Sequence, residues 1–158
     1  AGLIAGQQKW VERVSKHPLA RAVRIDKVTL SAMSSTLVAY LTGTHEKEIP
    51  IWNMISLSES ILANRAEKWQ SKTGAGTVEQ ARSTIGGGSL PGQTLPTYVL
   101  VIDYKGSAQN FVRCLRESPV AVVARIENNR IILDPRTVLP DQDDAVIETI
   151  KFALGKCY

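Results

Sequence analysis

Apolar positions recur at helical spacing in the first half of the chain and change to a strand-like pattern near its middle. Trp10, Val11 and Val14 share one side of a short amphipathic helix over residues 8–16. His17-Pro18 ends it, because the residue before a proline avoids helical geometry. Asp26 can cap a second helix, in which Leu30, Met33, Leu37 and Leu41 recur at three- and four-residue steps until Thr42-Gly43. Residues 44–50 read as a charged loop. Ser56 and Glu59 have the spacing of a capping box and predict a third helix with Leu62, Ala66 and Trp69 on its apolar stripe. Residues 70–96 are rich in Gly, Ser, Thr and Gln, long for a structureless connection, and predict a strand near Val78 to Arg82.

From Thr97 the pattern is that of a small α/β unit. Tyr98 to Tyr104 is β-branched and aromatic, a strand signature. Ser107 caps a helix turning Phe111, Cys114 and Leu115 inward. Val120 to Ile126 and Arg130 to Leu133 are further strands, joined at Asn128-Asn129, residues that tolerate the positive φ of a two-residue hairpin turn. Pro140 and Asp141 open a last helix with Ile147, Ile150 and Leu154 on its buried stripe. Strand, helix, strand, strand, helix makes an α+β fold with helices packed on one face of a small, mostly antiparallel sheet. The expected division is 1–69, a helical connection; 70–96, the Gly/Ser-rich segment; and 97–158, the α/β unit.

Composition adds limits. The chain has 158 residues, 44% hydrophobic and 22% charged, which is globular usage. No apolar run approaches the roughly 20 residues of a membrane span. Cys114 and Cys157 make no disulfide framework, and a reduced, cytoplasmic setting is expected. The formal net charge of +4 favours anionic partners without naming one. Trp10, Trp52 and Trp69 are all candidates for partial exposure.

For chemistry, the densest stretch runs from His17 to Lys27. Arg21, Arg24 and Lys27 recur every third residue and would converge on a turn or at a helix start. Planar guanidinium groups suit phosphate-like anions because they bind two oxygens at once. On the residues alone these cations also fit a solvated basic face, and both readings stand. Gly86-Gly87-Gly88-Ser89 would let a backbone approach a ligand closely, or would serve as a linker; it has neither dinucleotide nor P-loop spacing. His17 and His45 read as structural or surface histidines. Asp141, Asp143 and Asp144 are explained by a helix start, and no metal site is expected. The residues by themselves name no reaction.

Taken in order, several segments are more specific than any one of them. Leu3-Ile4-Ala5-Gly6 is followed by His17-Pro18-Leu19-Ala20-Arg21-Ala22-Val23-Arg24-Ile25-Asp26-Lys27-Val28-Thr29-Leu30. Then come Glu48-Ile49-Pro50, Ile85-Gly86-Gly87-Gly88-Ser89-Leu90-Pro91 and Leu95-Pro96-Thr97-Tyr98. Val123-Ala124-Arg125-Ile126 and Leu133-Asp134-Pro135-Arg136-Thr137-Val138 complete the series. This series resembles the C-terminal part of bacterial selenocysteine synthases, the L-seryl-tRNA(Sec) selenium transferases.

The resemblance implies part of a fold-type I pyridoxal-phosphate transferase. Such an enzyme exchanges the serine hydroxyl on tRNA(Sec) for selenium from selenophosphate, with pyridoxal 5'-phosphate as electron sink. It further implies that Arg21 and Arg24 act at the active site and bind the selenium donor. Lys27 and the loop Gly86, Gly87, Gly88 and Ser89 would take part in substrate binding. The Schiff-base lysine is expected a few residues before Ala1, with no cofactor-binding residue in this chain, so the chain alone should be inactive. A homo-oligomeric, cytoplasmic parent follows from the same resemblance. Two other readings remain at this point: a pyridoxal-phosphate lyase acting on a small amino acid or amino sugar phosphate, and a non-catalytic assembly or tRNA-contact module.

Overall fold

The computed structural model describes residues 2–86 and 92–156. The chain forms two compact units, Ala1–Ile49 and Pro50–Tyr158. The first contains α1 (Gln8–Ser15), α2 (Leu19–Ala22), α3 (Lys27–Leu41) and α4 (His45–Glu48). Pro18 ends the path of α1 and stands at the N-cap of α2. Asp26 caps α3, as its sequence predicts. The apolar stripe of α3 is not enclosed within this unit: Leu30 is 54% exposed and Leu41 87%, and only Ala39 is buried. The predicted loop over 44–50 is instead helical in part. Residues 45–48 form a single turn, on which the Tyr40 ring stacks through His45 at 5.1 Å.

The second unit opens with α5 (Pro50–Ser56), where proline at the first helical position loses no hydrogen bond. Next comes α6 (Glu59–Thr73), capped by Ser58, whose hydroxyl accepts the Ile61 N–H. The cap expected at Ser56 therefore stands two residues later, and with Ile61 at the third helical position it is a simple serine cap and not a capping box. Ser56 belongs to the end of α5, and its hydroxyl donates to Asn53 O. Gly74 ends α6 with φ +67°, and Gly76 follows at φ +80°, where a Cβ would lie 2.5 Å from Val101 O. Only glycine fits that approach.

The sheet has four described strands, β1 (Thr77–Thr84), β2 (Thr94–Ile102), β3 (Arg125–Glu127) and β4 (Arg130–Leu133), antiparallel in the order β1-β2-β4-β3. Pro96 is tolerated inside β2 because β4 pairs only with residues 100–102, leaving that stretch one free side. Alternation along β2 divides two clusters. Leu100 and Ile102 join Ile131 and Leu133 beneath the helices, while Val99 and Val101 meet Ile132 on the opposite face.

The main core lies between the sheet and α6, α7 (Ala108–Arg116) and α8 (Asp143–Lys156). Trp69, Phe111, Leu115 and Ile150 are wholly enclosed, each contributing about 2 kcal/mol or more by leaving water. Trp69 is thus not a partly uncovered surface residue, although Trp10 is 53% exposed. Helices on one face of an antiparallel sheet make the α+β arrangement that the pattern predicts.

One strand boundary, one helix start and one thiol differ from expectation. The valines at 120–123 form no strand, because their backbone groups turn to helices: Val122 N–H donates to Leu115 O and the Thr149 hydroxyl to Val120 O. The hairpin at Asn128-Asn129 has both residues at positive φ, 51° and 62°, as predicted. Pro140–Gln142 is a 3-10 turn, so α8 starts at Asp143. Cys114 is disulfide-bonded, which corrects the reading of a reduced thiol there. Among the described residues no helix is long and apolar enough to cross a membrane.

A buried ion pair joins α6 to α8. Arg65 and Asp143 are 7% and 6% exposed, with Nη2 to Oδ1 at 2.6 Å and Nε within 3.2 Å of both carboxylate oxygens. Arg65 also donates to Pro135 O at 2.7 Å and Val138 O at 2.9 Å. Removing one partner strands a buried charge, whereas removing both need not. Asp143→Ala is expected to cost about 3 kcal/mol in urea unfolding, and Arg65→Met with Asp143→Leu together distinctly less than the sum of the single changes. Additive losses would refute a coupled pair.

Candidate functional site

The segment from His17 to Thr29 is ordered by its own side chains. The imidazole Nδ1 of His17 accepts the Leu19 N–H at 3.2 Å, a local role in starting α2. Arg21 lies in the four-residue α2 and Arg24 in the connection beyond Val23; Lys27 is the first residue of α3. All three side chains are exposed. None of the ion pairs among the described residues involves Arg21, Arg24 or Lys27. The turn thus presents three cations within seven residues, with none consumed by a carboxylate.

Asp26 sits among them but looks inward along the helix axis. Its Oδ1 accepts Val28 N–H at 2.8 Å and Thr29 N–H at 2.9 Å, and its Oδ2 accepts the Thr29 hydroxyl at 2.7 Å. The N-terminal amides of α3 that would attract an anion are therefore occupied by the chain's own carboxylate. An external anion at this turn must rely on the guanidinium groups. The apolar side of the same segment borders an open groove of about 780 Å³, lined by Ile4, Trp10, Val14, Leu19 and Val23 among others.

In the second unit the described part of the Gly86-Gly87-Gly88-Ser89 run is Gly86, which follows β1; Gly87, Gly88 and Ser89 lie outside the described residues. The hairpin that carries the run is tied at its root. Asp134 accepts the Ser83 hydroxyl from β1 through Oδ2, and through Oδ1 the Thr97 hydroxyl from β2 at 3.0 Å. Arg136 donates to Pro96 O at 2.7 Å and to Met54 O, Ile55 O and Leu57 O at 2.9–3.2 Å. The last three include carbonyls that the end of α5 leaves without helical partners. Burial lowers the Arg136 pKa, an effect opposed by Asp134 and Glu59.

No local sequence pattern marks this polar lattice. Asp134 and Arg136 stood out only within a matching segment, and nothing in their spacing announces burial. Asp143, read as one of three acids at a helix start, is the partner of Arg65, while Asp144 pairs with Lys68 at 3.0 Å. Among the described residues no group of three or more His, Cys, Asp or Glu is placed to hold a metal ion.

Fold and segment together define a helix-backed α+β unit accompanied by a helical unit with an exposed cationic turn. A family model described as L-seryl-tRNA selenium transferase matches residues 1–139, and the chain belongs to that transferase family. It is homologous to the C-terminal part of selenocysteine synthase. An L-seryl-tRNA(Sec) selenium transferase of Carboxydothermus hydrogenoformans is 35% identical over 151 residues, covering 91% of this chain and 32% of the relative. One from Geobacter sulfurreducens is 37% identical over 160 residues, covering 96% and 35%. One from Clostridium botulinum is 34% identical over 159 residues, covering 96% and 34%. The chain spans about a third of the length of these curated relatives.

The geometry of Asp26 generates a pH prediction. The Thr29 N–H, the Thr29 hydroxyl and the Val28 N–H hold its carboxyl below the ordinary 3.8, against a smaller opposing effect of desolvation. A depressed pKa means the cap is fully present above the ordinary value and is lost as pH falls through the depressed one. The Thr29 amide resonance should therefore stay constant from about pH 6 to about pH 4 and move only below that. In Asp26→Asn, which keeps a capping oxygen but no charge, this movement should vanish. A midpoint above 3.8 in the native chain would contradict the assignment.

Proposed function

We propose that this chain supplies the selenium-donor site of a parent enzyme that converts L-seryl-tRNA(Sec) to selenocysteinyl-tRNA(Sec) with selenophosphate. Arg21 and Arg24 bind the phosphate of the donor, hold its selenium toward the reacting carbon and balance the negative charge as phosphate departs. The observation that carries this reading is the pair of exposed guanidinium groups without carboxylate partners, on a turn whose helix amides are already taken by Asp26. Two planar forks can grip a tetrahedral oxyanion at several oxygens, which a single ammonium group cannot. Lys27 adds positive potential, and Gly86, Gly87, Gly88 and Ser89 take part in substrate binding in the same reading.

The family reading includes pyridoxal 5'-phosphate, which would act as the electron sink during exchange at the seryl β-carbon. Every lysine of this chain is on the exposed surface, none set in a pocket that would desolvate an amine. In our reading the cofactor's covalent lysine belongs to another part of the parent. The parent is a cytoplasmic homo-oligomer in the same reading, in keeping with the apolar surface that α3 leaves uncovered at Val28, Leu30 and Val38.

Charge-assisted hydrogen bonds to an anion are worth about 1.5–3 kcal/mol each. Arg21→Ala and Arg24→Ala in the full-length enzyme should each lower kcat/KM for selenophosphate by roughly 30-fold, while the Kd for seryl-tRNA(Sec) stays the same. Lys27→Ala should have a much smaller effect. Unchanged donor kinetics in both arginine variants would refute the assignment.

A further inference from the structure

The positive charge of this protein is concentrated in one place. Residues 1–27 hold Lys9, Arg13, Lys16, Arg21, Arg24 and Lys27 against Glu12 and Asp26, a formal net charge of +4 that equals the whole chain's +4. The remainder is neutral on balance. Half of these cations are on the turn already described. The other half form a separate feature on α1.

Lys9, Arg13 and Lys16 are spaced by four and three residues, so they stand on one side of the helix and its C-cap, with Trp10, Val11 and Val14 on the opposing arc. They line a shallow concavity of about 470 Å³ with Gln8 and Glu12. Glu12 offsets one of these charges but pairs with none of them: its carboxylate accepts the Gln8 amide at 2.7 Å, no ion pair among the described residues involves Lys9, Arg13 or Lys16, and the strip keeps a formal charge of +2. Helix electrostatics accounts for Arg13 and Lys16 near the C-terminal end. It disfavours Lys9, which stands in the first turn beside the positive end of the dipole. Trp10, 53% exposed, lies at the edge of the basic strip, with Lys9 Nζ and the Arg13 guanidinium carbon each 5.3 Å from its ring centroid. Each of these contacts is a cation–π attraction of about 0.5–1 kcal/mol at an exposed site, which holds the ring beside the cations with a face open to solvent.

We propose that this face of α1 is a contact surface for the phosphate backbone of the tRNA substrate. It rests on the reading that the parent acts on an aminoacylated tRNA. The rise from Lys9 to Lys16 is about 10 Å, and a nucleic acid strand presents a phosphate about every 3.4 Å of axis, so the strip spans about three phosphate-to-phosphate steps, enough for each cation to meet a different phosphate. The Trp10 ring offers an additional stacking surface for an unpaired base or a ribose. The contact is independent of sequence and positions the RNA; it does not read bases.

The experiment measures binding of the 158-residue chain to an in vitro transcript of tRNA(Sec) as salt is varied. Each lost phosphate contact lowers the slope of log K against log salt by about 0.7–0.9. Lys9→Ala with Arg13→Ala and Lys16→Ala should lower it by about 2 to 3 and weaken low-salt binding at least tenfold. Lys9→Arg with Lys16→Arg should keep the native slope. The single changes Lys9→Ala and Lys16→Ala, each expected to lose about one phosphate's worth of slope, serve if the triple variant alters the far-ultraviolet circular dichroism. No binding by the native chain at low salt, an unchanged slope in the variants, or polyglutamate bound as tightly as the transcript would overturn the proposal. A change in slope with intact donor kinetics separates this surface from the Arg21 and Arg24 site. Failure of the arginine prediction alone would leave this surface standing.

Discussion

The guanidinium of Arg65 lies in the interior of the second unit and makes hydrogen bonds to the Asp143 carboxylate and to carbonyls of Pro135 and Val138. A charge removed from water is tolerable only when its donors are used, and here the donors reach three places in the chain. Helix α6, the bend after β4 and the start of α8 are therefore fixed to one another by a single side chain. Arg136 repeats part of the solution one step away, donating from its two terminal nitrogens to carbonyls around the end of α5 and to Pro96 O in β2, while its buried Nε has no partner among the described residues. Asp134 supplies the complement by joining β1 to β2. Hydrophobic burial drives the collapse of this unit, but the layer's arrangement depends on satisfying these buried charges.

Much of this was legible in the sequence where one local signal dominated. Asp26 before a helical repeat, Ser107 before Phe111 and two asparagines between apolar runs each encode a cap or turn whose geometry the structure retains. Reading failed where two local signals competed. Ser56 and Ser58 both precede a helix, and α5 decides which one is free to cap α6. The valines at 120–123 have strong strand propensity, yet Leu115 O and the Thr149 hydroxyl take up their backbone. The lattice of Arg65, Asp134, Arg136 and Asp143 was hidden for another reason: burial of a charge is a tertiary fact with no periodic trace. The cationic turn was visible as a spacing, but its meaning came from the family's segments and not from physics alone.

The two units differ in how they use charge. In Pro50–Tyr158 lie the five ion pairs seen among the described residues, of which the buried Arg65–Asp143 pair holds the scaffold together. In residues 1–27 the arginines and lysines stand in solvent, apart from the ion pairs observed among the described residues. Leaving charge unpaired contributes little to folding and costs self-repulsion, so its concentration there fits a surface kept for anionic ligands. The proposed parent, with an aminoacylated tRNA and an oxyanion donor as substrates, has use for two such surfaces. The Arg21 and Arg24 turn suits the compact anion, and the longer strip on α1 suits the polymeric one.

The central claim, that Arg21 and Arg24 hold the selenium donor, is tested most directly by anomalous diffraction at the selenium edge from crystals of the full-length enzyme soaked with selenophosphate. The account predicts one selenium peak whose attached phosphate oxygens lie about 2.7–2.9 Å from the guanidinium nitrogens of both arginines. An ordered donor bound elsewhere, with both guanidinium groups in solvent or paired to carboxylates, would contradict it.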